Sequence, residues 1–307
     1  MSLYDYLVMD TFADSPFTGN PAGVVLDAGS LTDDQMQAIA REIHLSETVF
    51  VLGSMQPNAA VRFRTFTPTV EMRVSGHSVL AGVAALIRVG RFVALLEEPG
   101  TQLPIETQSG LLTARVERIQ RGGDEFLVWL DLPRPQLKKF PHDNAKTAGL
   151  LGLDPTAIDN SMPAMKTQDD DVILFVQALP ALLDARPDFA ALAAFSRRRG
   201  VRAWCAATLE TLAASVNVHS RCFAPAAGVD EDPVTANVHG PLATYLVVAG
   251  QVGGVGKDAA VTCIQTDSTG RAGLVRVLLS RRQPDGYQAW IGGQCTVAMT
   301  GQIHVPT

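Results

Sequence analysis

Three ionisable side chains stand out by position: Glu47, His77 and Asp232. Two of them follow versions of one repeated stretch. Arg64-Thr65-Phe66-Thr67-Pro68 leads to Gly76-His77-Ser78 and an apolar run over 79–87. Arg221-Cys222-Phe223-Ala224-Pro225 leads to Glu231-Asp232-Pro233 and a second apolar run ending at 248. Both copies read as strand, turn and helix, with an ionisable residue where the helix starts. A helix start carries unpaired backbone N–H groups and a partial positive charge. Two such starts facing each other would bind a small anion, with an ionisable group from each side. The repeat therefore predicts a duplicated fold with its site between the copies.

Taken singly, each residue has a plainer role. Asp232 before Pro233 has the pattern of an N-cap aspartate with proline at the first helical position. His77, between glycine and serine, reads as a cap or a satisfied buried histidine. Its functional reading is proton handling, since histidine titrates near neutrality. Glu47 falls between a helix and a strand, where a lone carboxylate is usually solvated. The combination is what argues for chemistry.

The 307 residues are enough for two ordinary domains. With 47% hydrophobic and 18% charged residues, the chain can bury a sizeable core. A net charge of −6 gives no reason to expect nucleic acid or an acidic membrane surface as partner. The basic cluster Arg197-Arg198-Arg199 precedes Gly200 and suits a helix C-terminus. Residues 1–10 show no secretory leader, and the apolar runs are too short to span a bilayer. Cys205, Cys222, Cys263 and Cys295 lack C-x-x-C spacing, which predicts free thiols in a reducing cytoplasm. No His, Cys or carboxylate group has metal-ligand spacing, so no metal is expected.

The elements that must position these residues follow from periodicity and turn residues. Strands are predicted over 3–12 and 22–26, then a helix opened by the capping-box pattern at Thr32, with Met36, Ile39, Ala40 and Ile43 on its apolar stripe. Strands over 49–52 and 61–66 precede a helix over 78–88 that is apolar all round and so enclosed. Strands over 111–117 and 126–132 are expected to pair across Gly122-Gly123. Pro133-Arg134-Pro135 marks the crossing between domains. Helices near 143–151 and 188–199, strands over 172–176, 203–209 and 214–223, a second enclosed helix over 233–249 and strands over 260–305 complete the chain. The fold class is α+β: two pseudo-symmetric halves, each a curved, mostly antiparallel sheet wrapped around a buried helix. The first spans 1–132, completed by strands within 288–307, and the second spans 133–287.

Asn20-Pro21-Ala22, Leu45-Ser46-Glu47-Thr48, Phe66-Thr67-Pro68, Gly76-His77 and Glu231-Asp232-Pro233 occur in an order that resembles the PhzF-like family of phenazine-biosynthesis isomerases. The resemblance covers essentially the whole chain. It implies a diaminopimelate-epimerase-like fold, a homodimer and a cofactor-free site for a small carboxylate-bearing substrate. In the characterised branch that substrate is trans-2,3-dihydro-3-hydroxyanthranilate. By motif match the acid/base glutamate falls on Glu47, and the supporting histidine and aspartate on His77 and Asp232. Asn20, Ser46, Gly76, Ser78, Ala236 and Asn237 are the expected substrate-binding positions.

The chain departs from the family pattern at several of these. Val234-Thr235-Ala236-Asn237 stands for the usual Ala-Thr-Gly-Ser, and Ser78-Val79 for the usual Pro or Ala and Thr. Two other readings compete: a racemase or epimerase of the same fold, and a ligand-binding protein on an enzyme scaffold. Cofactor-free racemases of this fold use two cysteines, where this chain carries His77 and Asp232.

Overall fold

The computed structural model describes residues 1–73, 75–98, 100–120, 123–282 and 286–306. The chain divides into two compact units, one of residues 1–131 with 292–307 and one of residues 132–291.

The first unit contains β1 (Ser2–Thr11), β2 (Asn20–Val25), α1 (Asp33–Ile43), β3 (Glu47–Leu52), β4 (Val61–Phe66), β5 (Glu71–Met72), α2 (Gly76–Arg88), β6 (Gln102–Thr107), β7 (Gly110–Arg118) and β8 (Phe126–Asp131). The capping box at Thr32 forms, with Gln35 as its reciprocal partner, and His44 ends α1 in the left-handed region. Met36, Ile39 and Ala40 are buried in the cluster under α1.

Two helices of this unit bridge parallel strands. α1 joins β2 to β3, and α2 joins β4 to β6. Antiparallel pairings of β1 with β2, β3 with β4, β6 with β7 and β7 with β8 complete the sheet. α2 packs on β1, β2, β3, β4 and β8, and every residue from Gly76 to Ile87 is buried. Contact on all sides explains why this helix carries no polar face.

The second unit contains β9 (Leu137–Lys139), α3 (Asn144–Leu151), β10 (Met165–Thr167), β11 (Val172–Phe175), α4 (Leu179–Leu183), α5 (Phe189–Arg199), β12 (Trp204–Thr208), β13 (Val218–Ala224), β14 (Val229–Asp232), α6 (Ala236–Val248), β15 (Ala259–Thr266) and β16 (Ala272–Arg282). The long β17 (Gly286–Val305) runs on from the second unit into the first, where its residues 295–305 pair antiparallel with β1. α6 packs on β15 and β16, and it joins two parallel strands, β13 and β15. Its interior Pro241 removes one helical N–H. Asp143 and Asp188 cap α3 and α5. The three arginines fill the last turn of α5 before Gly200, as the charge pattern predicts.

Several sequence expectations are corrected. Glu47 is the first residue of β3 with 13% of its side chain exposed, so it is not a solvated junction residue. Asp232 does not cap α6. It ends β14 opposite Cys222, Thr235 occupies the N-cap position, and the helix starts at Ala236. A residue before proline is driven to extended backbone, and here the strand pairing claims it. The short strands β5, β9, β10 and β14 have too little alternation to be read from sequence, and Pro104 inside β6 argues locally against a strand. β7 and β8 pair as expected, but Gly122 of their turn lies outside the described residues.

Gly82 sits where α2 crosses β4. A Cβ there would lie 2.7 Å from the ring of Phe63, itself 2% exposed. Gly82→Ala is expected to lower the unfolding free energy by about 1–3 kcal/mol through overpacking, although alanine favours helix. Chemical denaturation checks this, and pairing it with Phe63→Leu should recover part of the loss.

Candidate functional site

In the first unit, strand pairing assembles the predicted residues. β2 and β3 run parallel with Ala22 opposite Glu47, which sets Asn20-Pro21 beside Ser46-Glu47. Ser46 donates to the Pro21 carbonyl at 3.4 Å. Asn20 is fully buried, and its carbonyl accepts from the Thr11 hydroxyl at 2.9 Å. The start of α2 then brings His77 to this edge. Its Nε2 lies 3.5 Å from Glu47 Oε2, and both side chains are largely buried. Among the described residues, neither of these two atoms has a hydrogen-bond partner, so the pair is close without being tightly bonded.

On the other ring nitrogen, Ser75 Oγ lies 3.2 Å from His77 Nδ1. Ser75 holds the N-cap position of α2, but its side chain makes no capping bond. The Ser78 hydroxyl is engaged with the Ser75 carbonyl and Thr65 Oγ1, each at 3.2 Å. It therefore ties the helix start to β4.

In the second unit, Asp232 is part of a small network. The Thr235 hydroxyl donates to Asp232 Oδ2 at 2.6 Å. Gln265, fully buried on β15, accepts from the Thr235 N–H at 3.0 Å and donates to the Asp232 carbonyl at 2.6 Å. Ala236 is buried and Asn237 half-buried at the start of α6, which also has no side-chain cap.

A shared device holds both helix starts; Arg64, Arg221 and Glu231 belong to motifs noted in the sequence without a role, and Glu71 carries no such signal. Arg64 on β4 donates from Nε and Nη2 to the two carboxylate oxygens of Glu71 on β5, both at 2.7 Å. Arg221 on β13 does the same to Glu231 on β14, at 2.7 and 3.0 Å. Each guanidinium also lies over the phenylalanine two residues on, Phe66 at 5.2 Å and Phe223 at 5.0 Å. Helix α2 starts five residues after Glu71 and α6 five after Glu231. By this spacing Met72 stands where Asp232 does, and the counterpart of His77 is Asn237. The sequence-based pairing of His77 with Asp232 is corrected accordingly.

The cysteines are poor candidates for proton transfer. Cys205 and Cys222 face each other across β12 and β13, and all four thiols are buried. Burial pushes the Cys222 thiol well above its ordinary value, with Cys205 adding to the effect, and raises Cys295 to about 12. A thiol held protonated is a weak base near neutral pH.

A family model described as phenazine biosynthesis-like protein matches residues 9–301. An uncharacterized isomerase of Pseudomonas aeruginosa is 36% identical over 240 residues, 77% of this chain and 79% of that one. The crystal structure of a PhzF-family phenazine biosynthesis protein from Bacillus anthracis superposes with a TM-score of 0.88 at 28% identity, covering 99% of this chain and all of that one. A hydroxyproline epimerase from Agrobacterium vitis shares the fold at a TM-score of 0.66 and 14% identity, over 99% of this chain and 91% of that one. The chain shares the mixed α/β architecture of these structures. It belongs to the phenazine biosynthesis-like family. Among the described residues, no helix is long and apolar enough to cross a membrane.

The start of α6 also carries His239, fully buried, with Nδ1 donating to the Thr235 carbonyl at 2.7 Å. Burial lowers its pKa to about 4. Unfolded, it titrates near 6.5, so the unfolded chain binds the extra proton between those values. The stability held above pH 6.5 is lost as pH falls towards 4, by about 3 kcal/mol for this residue. Denaturant titrations at pH 7.5 and 4.5 should show the drop, and His239→Gln should make it shallower.

Proposed function

We propose that this chain is a cofactor-independent isomerase that moves a proton between carbons of a small carboxylate-bearing substrate. Glu47 is the proton carrier, His77 its hydrogen-bonding partner, and Asp232 a further group required for turnover. The observation that carries this reading is the buried Glu47–His77 contact at 3.5 Å, with the facing atoms not committed to other hydrogen bonds. A buried carboxylate beside an imidazole has no evident structural reason to remain so loosely bonded.

The step is balanced within the chain and substrate. Glu47 accepts a proton from carbon, and the electron pair of that C–H bond moves into the adjacent conjugated system. The resulting carboxylic acid returns the proton to a different carbon, and the double bonds shift. A positioned acid/base group of this kind contributes about 10²–10⁴-fold to rate. The starts of α2 and α6 lack side-chain caps, so their backbone N–H groups suit the substrate's carboxylate or another polar group. The finer architecture, two related halves each built around one helix, belongs to the same reading. It is supported by the recurrence of the Arg–Glu device ahead of α2 and α6.

The family resemblance makes trans-2,3-dihydro-3-hydroxyanthranilate the first substrate to test. Asn237 and Ala236 set this chain apart from the usual family pattern at positions expected to meet it. The racemase alternative survives only without thiol bases, because all four cysteines are buried and burial raises Cys222, Cys263 and Cys295 above the ordinary thiol range.

The test is turnover in heavy water, followed by NMR, for wild type and Glu47→Gln. Wild type is expected to convert the compound and place solvent deuterium on one carbon. Glu47→Gln should lose about 10³-fold in kcat while keeping its fold. A Glu47→Gln variant within tenfold of wild type would refute the mechanism. Deuterium at an inverted stereocentre without double-bond migration would favour the racemase.

A further inference from the structure

The serine at the head of α2 has a use that the proton-transfer reading does not draw on. Ser75 and His77 are 7% and 6% exposed, so their contact is shielded from water. The Ser75 backbone is fixed from two directions, its carbonyl accepting from the Val79 N–H and the Ser78 hydroxyl, both at 3.2 Å. Its own hydroxyl is turned to His77 Nδ1. On the far side of the ring, Nε2 faces a carboxylate oxygen of Glu47.

A neutral imidazole has one N–H, and an ionised carboxylate only accepts. With the proton on Nε2, both contacts set a donor against an acceptor: Nε2–H lies on the side of Glu47, 3.5 Å from Oε2, and the Ser75 hydroxyl donates to the Nδ1 lone pair. With the proton on Nδ1, the Nε2 lone pair faces the carboxylate, an unfavourable approach of two acceptors in a buried place. A hydrogen bond on one ring nitrogen selects the proton on the other.

We propose that Ser75 is a positioning residue that locks His77 in its Nε2–H tautomer and so directs a hydrogen bond onto Glu47 Oε2. The inference rests on Glu47 as proton carrier and divides the labour of its two oxygens. Oε2 is held by His77, and Oε1 takes the proton as the substrate's C–H bond breaks. The return step breaks that O–H bond and forms the new C–H bond. His77 keeps its own proton throughout, and no electrons leave the substrate.

The experiment records long-range ¹⁵N–¹H spectra of protein labelled in its six histidine rings, with His77→Gln to assign the resonance. Wild type at neutral pH should show a proton-bearing Nε2 and a bare Nδ1. Ser75→Ala should give mixed tautomers and a kcat about tenfold lower at unchanged KM, the effect of one hydrogen bond. Ser75→Thr keeps the hydroxyl and should restore both readouts. Because Ser75 makes no capping bond, Ser75→Ala should melt as wild type does, and Ser75→Thr guards against a folding artefact. An Nδ1-protonated or doubly protonated His77 in wild type would overturn the proposal. So would a Ser75→Ala variant with unchanged tautomer and kcat. If wild type does not turn over the compound, the spectra still decide the tautomer, and that failure counts only against the functional reading.

Discussion

The local structure of each candidate site depends on one arginine–glutamate pair. β5 has two residues and β14 four, too few for ladder bonds alone to hold them. A bidentate guanidinium–carboxylate pair does so, and burial makes the arrangement stringent. Arg221 is 2% exposed, and its Nη1 also donates to the carbonyls of Leu182, Leu183 and Ala185. Removing either partner of such a pair strands a buried charge, at a cost of roughly 3–5 kcal/mol. The chain is thereby pinned just before each buried helix, and the residues between clamp and helix are where Asp232, Ser75 and Thr235 lie.

The helices these pairs introduce are unusual in the same way. α1, α3 and α5 have side-chain caps, while α2 and α6, like the five-residue α4, have none. The residues at their N-cap positions, Ser75 and Thr235, turn their hydroxyls to His77 and Asp232 instead. Ordinary caps are serine, threonine or aspartate because they satisfy the first N–H groups. Here residues of capping type orient neighbouring ionisable groups and leave backbone donors at both helix starts.

Much of this was legible in the sequence, and the limits have physical causes. The Thr32 capping box, the arginine-rich end of α5 and the all-apolar α2 announced themselves because local chemistry decides them. The repeated Arg-x-Phe stretch showed that two related segments precede two helices. The glutamates that answer those arginines escaped, because Glu71 and Glu231 lie at unequal distances, seven and ten residues on. Taken alone, Asp232 reads as a cap because Asp-Pro satisfies local capping statistics, whereas pairing with Cys222 is a tertiary matter. Glu47 looked solvated because nothing nearby in sequence reveals that His77 will stand against it. Ser75 and Gln265 gave no signal, since their roles exist only once strand and helix are in place.

The pairing of β1 with β17 has a consequence for how the chain is made. Ser2 lies opposite Val305 and Thr11 opposite Cys295, so this strand waits for one made much later in the chain. The second unit, continuous over 132–291, has all its own residues just before that. Contacts so distant along the chain carry a large closure entropy and form late. During translation β1 is therefore a strand with one unfilled edge, open to mispairing until the C-terminal segment leaves the ribosome. The lysine-free, partly apolar edge of β1, with Leu3 more than half exposed even in the finished fold, is where a nascent-chain chaperone would be needed.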